Sequence, residues 1–214
     1  MKRRDFSLRL AAVGLGSTWA GTAAAQGGPV EGRHYTKLAQ PAPVSVPAGK
    51  VEVIEFFSYG CPHCYSLEPT LEDWAKRLPA DVVFKRVPVG FNALYEGYQR
   101  IFYALEAMGQ LDKMHRKVFD AIHQQRQRLD KEADIAAFMT ANGIDGAKFI
   151  ELYKSFGVQT KARQAQQLGN AYKIDGVPAM GVQGRYTTSG AQAGSNERAL
   201  AVTDALVQIS RKPG

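Results

Sequence analysis

The chain has 214 residues, 45% of them hydrophobic and 22% charged, with a net charge of +7 and two cysteines. That apolar content supports one domain with a real core, which excludes a disordered or fibrous chain. Cys61 and Cys64 form one close pair, which excludes a disulfide-stapled scaffold. The basic residues Arg116, Lys117, Arg126, Arg128, Lys161 and Arg163 are scattered without interleaved aromatics. They read as a solvated surface, with no nucleic-acid partner.

Lys2, Arg3, Arg4 and Arg9 precede an uncharged stretch, Leu10 to Ala25, that ends in Ala23-Ala24-Ala25. This is the pattern of a secretory signal peptide over residues 1–25, cleaved before Gln26. The stretch is too short and too rich in Gly and Ala for a membrane span. Arg3-Arg4-Asp5-Phe6 resembles a twin-arginine export signal, with Ser7 where a leucine is expected. Sec-type export, twin-arginine export and a disordered basic tail all stay open. Without residues 1–25, which carry four basic side chains and one acidic one, the charge is about +4. Residues 26–47, rich in Pro and Gly, read as an extended N-terminal arm.

Val51 to Phe57 is a β-branched and aromatic run of strand length. From Pro62 the period changes, and Leu67, Leu71, Trp74 and Leu78 mark the apolar face of a helix ending before Pro79. Pro69 lies inside that pattern and is expected to break it early. Asp81 to Val89 reads as a second strand, and strand, helix and strand with short links predict a parallel βαβ unit. Helical spacing then recurs in Tyr98–Met108, Leu111–Ile122, Ile135–Met139, Phe149–Phe156 and Lys161–Tyr172. Gly109, Gly143 and Gly157 suit helix stops. Strand signals return at Ala179–Val182 and Arg185–Thr188, with Gln183-Gly184 as a two-residue hairpin turn. A closing helix is predicted from Asn196 to Ser210. The order predicts an α/β sheet domain over 48–90 and 173–214, interrupted by a helical block over 91–172.

A close cysteine pair in an exported chain needs a chemical reason. A zinc site is one, but it needs two further ligands. His34, His63, His115 and His123 show no ligand-like clustering, and His115 and His123 read as helix-surface residues. A reactive dithiol is the other reason. Cys61 precedes Pro62, a preferred first helical residue. Its sulfur would face unpaired N–H groups and the positive end of the helix dipole, with His63 adding a donor or charge. Both favour thiolate. Cys64, one turn on, should be the buried resolving thiol. By alternation Glu55 shares a strand face with Val51, Val53 and Phe57, and Lys85 shares one with Val83, Val87 and Val89. A lone buried charge is costly, so each needs an internal partner.

Glu55-Phe-Phe-Ser-Tyr-Gly-Cys-Pro-His-Cys-Tyr65, with Gly176-Val-Pro-Ala-Met180 ahead of the hairpin, resembles the DsbA family of periplasmic thiol:disulfide oxidoreductases. The resemblance covers essentially all of 26–214. It implies a thioredoxin fold with an inserted helical domain, and a monomer in the periplasm that needs no organic cofactor or metal. It implies that Cys61 takes a mixed disulfide with cysteine-containing exported polypeptides. A membrane DsbB-type quinone reductase would then reoxidise the Cys61–Cys64 dithiol. Pro62 and His63 belong to the catalytic motif. Glu55 and Lys85 would lie behind it and help move the Cys64 proton, a strand-end salt bridge being the alternative. The bond before Pro178 would be cis, leaving the Val177 backbone free to pair with substrate. Tyr59 and Tyr65 are either substrate surface or packing. Gly181 departs from the family pattern, since a large apolar residue is usual there, and is expected to alter the groove beside Pro178. Two other readings stay open: a disulfide isomerase or reductase, and a chaperone-like peptide-binding module. Glutathione-transferase-like relatives generally lack the dithiol.

Overall fold

The computed structural model describes residues 28–211, so the signal segment lies outside the described residues. Among them, one sheet is built from β1 (Thr36–Lys37), β2 (Val51–Phe57), β3 (Val82–Pro88), β4 (Ala179–Val182) and β5 (Tyr186–Ser189). The strand order is β1-β5-β4-β2-β3. β2 and β3 are parallel, joined by α1 (Pro62–Ala75), as the βαβ pattern predicts. β4 is antiparallel to both β2 and β5. Between β3 and β4 come α2 (Ala93–Ala107), α3 (Leu111–His123), α4 (Glu132–Ala141), α5 (Gly146–Lys154) and α6 (Phe156–Ala171). After β5 come a single turn, α7 (Gly190–Ala193), and the closing helix α8 (Asn196–Arg211).

β2 is buried along its whole length, and its two faces enter different cores. Val51 and Val53 pack with Leu67, Leu71 and Trp74 of α1 and with Leu206 of α8. Ile54 and Phe56 belong to the core shared with the helical block. A central strand covered on both faces is what a near-continuous apolar run means. Trp74 Nε1–H donates to Asp204 Oδ1 at 2.9 Å, tying α1 to α8.

Several expectations change. α1 runs unbroken through Pro69. That residue is exposed, so its ring meets solvent and water can satisfy the carbonyl that loses an N–H partner. Gly109 and Gly143 do end helices, at φ +63° and +79°, whereas Gly157 lies inside α6. The stop before it is Ser155, which ends α5 in extended backbone and caps α6 by accepting from Val158 N–H. The β4–β5 turn spans three residues, because Val182 pairs with Tyr186. Gln183 and Gly184 both take positive φ there. The arm is not merely extended, since β1 pairs with β5 and adds a strand to the sheet.

Gly181 also has a physical reason. A Cβ there would lie 2.6 Å from Tyr172 Cε1 and 3.0 Å from Phe56 Cε2. The buried Tyr172 ring occupies the space where a side chain would stand, and its hydroxyl accepts from Gly184 N–H at 2.8 Å. Gly181 therefore shapes the core and not the groove beside Pro178.

Candidate active site

Cys61 is the N-cap of α1, with extended backbone (φ −90°, ψ 115°) and Pro62 as the first helical residue. In this geometry the cap side chain turns back over the open end of the helix. Cys61 Sγ accepts from Cys64 N–H at 3.3 Å. The Cys64 thiol, then the backbone N–H groups of Cys64 and His63 and the His63 side chain, outweigh burial and lower the Cys61 thiol to about 6. Cys64 moves the other way: burial first, then Cys61 and Glu55, push it well above an ordinary thiol. Cys61 is 6% exposed and Cys64 not at all, so an incoming sulfur meets Cys61 first. His63 is exposed beside them.

The loop before β4 closes over this sulfur. The Cys61 thiol donates to the Val177 carbonyl at 3.3 Å, and the Val177–Pro178 bond is cis. Val177 is half-buried and Pro178 buried. A groove lined by Lys37, Gln40, His63, Ile174, Val177 and Gln192 runs alongside. The arm thus forms one wall of the groove, a role its composition did not announce. Among the described residues no three His, Cys, Asp or Glu side chains form a metal-holding group.

Behind the dithiol lies a buried polar cluster. Glu55 on β2 is fully buried, and its Oε2 is 3.3 Å from Arg86 Nε on β3. The contact is ionic, without hydrogen-bond geometry. Arg86 also reaches Glu68 Oε1 at 2.5 Å, and His115 Nε2 lies 3.3 Å from the same oxygen. His115 Nδ1 is 2.8 Å from the Tyr59 hydroxyl. Burial, then Glu68, raise Glu55 to about 8, against the pull of Arg86. Burial acts on Glu68 too, but His115 and Arg86 overcome it and leave that carboxyl below its ordinary value.

Lys85 is not brought to this cluster. Register pairs Glu55 with Arg86 and Ile54 with Lys85, and neighbouring strand residues point to opposite faces. Lys85 Nζ instead contacts Glu52 Oε2 at 2.6 Å and Ser45 Oγ at 2.7 Å, pinning the arm. The cation that meets Glu55 is therefore Arg86 and not Lys85. Tyr59 is fully buried, as packing, and Tyr65 half-buried, its hydroxyl on Asp120. His115 is buried and His123 half-buried, its Nε2 2.8 Å from the Tyr59 carbonyl oxygen. Neither is a plain surface residue. Glu68 was legible in principle: it falls four after Cys64 and three before Leu71, an acid on the buried face of α1.

The DSBA-like thioredoxin domain family matches residues 52–196. The chain belongs to that family. The thiol:disulfide interchange protein DsbA of Bordetella pertussis is 44% identical over 215 residues, covering 99% of this chain and 100% of that one. The Pseudomonas aeruginosa DsbA is 41% identical over 84% of this chain and 85% of its own. A crystal structure of the latter aligns with a TM-score of 0.80 at 40% identity, over 84% of this chain and 93% of that one. The oxidoreductase DsbA from Xylella fastidiosa gives 0.80 at 29% identity, over 86% and 98%. The chain is thus a disulfide oxidoreductase of the thiol:disulfide interchange class with a thioredoxin fold, as the CPHC and Val-Pro elements imply.

Proposed function

We propose that this DsbA-family protein donates the Cys61–Cys64 disulfide to cysteine pairs of exported polypeptides in the periplasm. In the oxidised protein a substrate thiolate attacks Cys61 Sγ, the Cys61–Cys64 bond breaks, and Cys64 leaves and takes up a proton. The second substrate thiolate attacks its own partner sulfur in the mixed disulfide, and Cys61 leaves as thiolate. The substrate loses two electrons and the dithiol gains them. A membrane DsbB-type quinone reductase then takes those electrons. Val177 and the groove beside it offer an extended substrate backbone a place to pair. Glu55 is the buried proton-holding group behind Cys64.

The observation that carries this reading is the opposed placement of the two thiols: Cys61 caps α1 and accepts from Cys64 N–H, whereas Cys64 is completely buried. A Cys61 titrating at about 6 is mostly thiolate at neutral pH. That stabilises the reduced form by about 1.4 kcal/mol, or about 30 mV of added oxidising power for a two-electron couple. It also makes Cys61 the better leaving group. The reduced protein gains over its unfolded chain as pH rises above about 6, and loses that gain as pH falls through it.

Export to the periplasm rests on the 1–25 signal pattern and on the family. Among the described residues no helix is long and apolar enough to cross a membrane. Incubating the oxidised protein with a reduced dithiol peptide should oxidise the peptide one for one. Iodoacetamide should modify the reduced protein at Cys61 with a midpoint near pH 6. A midpoint at an ordinary thiol value of about 8.5, with no transfer to the peptide, would refute the donor role.

A further inference from the structure

Two buried carboxylates behind the dithiol share one guanidinium. Glu55 of β2 and Glu68 of α1 both contact Arg86 of β3, and both are fully buried. One cation compensates one anion, and two close carboxylates in a low dielectric do not both ionise readily. Arg86 hydrogen-bonds Glu68 and not Glu55, which already favours Glu68 as the anion, and a third group adds to that preference. Neither α1 nor the sheet supplies that third group.

It comes from α3 in the helical block. His115 is 6% exposed, enclosed by the rings of Phe57, Phe102 and Phe119, with centroids 5.2 to 6.1 Å away. Its Nε2 faces Glu68 Oε1 and its Nδ1 faces the Tyr59 hydroxyl. Among the described residues the Tyr59 hydroxyl has no other hydrogen-bond partner. The arrangement that satisfies most groups has Tyr59 donating to Nδ1, which leaves the imidazole hydrogen on Nε2, on the Glu68 side of the ring, close to that carboxylate but without hydrogen-bond geometry. We propose that His115 is a positioning residue, which fixes Glu68 as the ionised carboxylate and thereby leaves the exchangeable proton on Glu55, beside the dithiol.

The charged and titratable groups facing His115 agree. Glu68 and Glu72 come from α1, Arg86 from β3 and Tyr59 from the β2–α1 loop. Burial and Arg86 hold the imidazole neutral against the two carboxylates. The consequence reaches the sulfurs because Glu55 and Cys61 feel each other's charge, as do Glu55 and Cys64. If Glu68 loses the imidazole 3.3 Å from its Oε1, the proton moves to Glu68 and Glu55 becomes the anion paired with Arg86. A charged Glu55 then opposes the Cys61 thiolate.

This inference rests on the donor reading above but is tested separately from it. The readout is the thiolate absorbance of the reduced protein against pH, with disulfide transfer to the dithiol peptide measured in parallel. His115→Phe fills the cavity with a ring and should raise the Cys61 midpoint by about one pH unit. Adding Glu55→Gln, which cannot ionise, should abolish that rise: the double variant should titrate like Glu55→Gln alone. Tyr59→Phe, a gentler change that frees the tautomer, should shift the midpoint the same way by less. A His115→Phe midpoint equal to wild type overturns the proposal. So does a shift that persists in the Glu55→Gln background, since that marks a packing effect. Should His115→Phe not fold, an unshifted Tyr59→Phe overturns it. Wild-type protein that transfers no disulfide contradicts the donor reading alone.

Discussion

Cys61→Ser is expected to fold normally and to transfer no disulfide at all, because no other sulfur can take the substrate. Cys64 is completely buried and held as thiol by its surroundings, so it cannot stand in. The companion variant separates the two roles. In Cys64→Ser the thiolate of Cys61 remains at the helix end, but nothing resolves a bond formed there. Given an oxidised substrate, the Cys61 thiolate attacks one sulfur of the substrate disulfide, the other sulfur leaves as thiolate, and the mixed disulfide should accumulate and survive acid trapping, visible as a mass increase confined to Cys61. A Cys61→Ser protein that still oxidised the dithiol peptide would show that the site is elsewhere. Equal trapping by both variants would show that the two cysteines are interchangeable, which their opposed environments forbid.

The second large effect is on stability and concerns Arg86. Arg86→Leu leaves Glu55 and Glu68 buried without their shared cation. Removing one partner of a buried pair costs about 3–5 kcal/mol, which for a domain of this size lowers Tm by roughly 10 °C. The loss should depend on pH in a defined direction. Glu55 is raised to about 8 in the native protein, so its burial is tolerated at low pH, and stability drains away as pH rises through 8. Glu68 is lowered, so its contribution is present above the ordinary carboxyl value and is lost as pH falls through the native one. Without Arg86 both carboxyls prefer the protonated state. The gap between variant and wild type should be widest above pH 8 and narrow toward pH 5. Thermal melts at several pH values decide this, and a gap constant across the range would mean that Arg86 acts by packing alone.

Much of this could be read before any coordinates. The dithiol, the helix it caps, the parallel strands on either side of that helix and the closing helix all follow from local pattern, whereas the role of the Val177–Pro178 element came from the family resemblance. Local pattern is where short-range physics dominates: a proline at the first helical position, a period that switches from two to 3.6, a β-branched run between turns. What escaped depends on pairing across the chain. Alternation marked Glu55 as inward but could not say whether Lys85 or Arg86 would meet it. That answer lies in the β2–β3 register, where a slip of one residue moves a side chain to the other face. His115 looked like a surface helix residue because its partners, Tyr59 and Glu68, lie 56 and 47 positions away in sequence. The Pro and Gly rules failed where tertiary context overrode them. Pro69 sits on the wet side of α1, and Gly157 falls inside α6 because Ser155 already ends α5. The arm's short β1 had too few residues to carry a period of its own.

The charge arrangement behind the dithiol thus has a direct consequence for its redox poise. Cys61 is stabilised as thiolate by the helix end and by Cys64, while Glu55 keeps a proton and adds no opposing charge. Both features favour the reduced protein and so make the disulfide more oxidising. The decisive measurement is the equilibrium of residues 26–214 with glutathione buffers, read by alkylation of the free thiols. A potential near about −120 mV, the value known for DsbA itself, is expected of a disulfide donor. A potential near about −270 mV, that of thioredoxin, would make the protein a reductant and contradict the account.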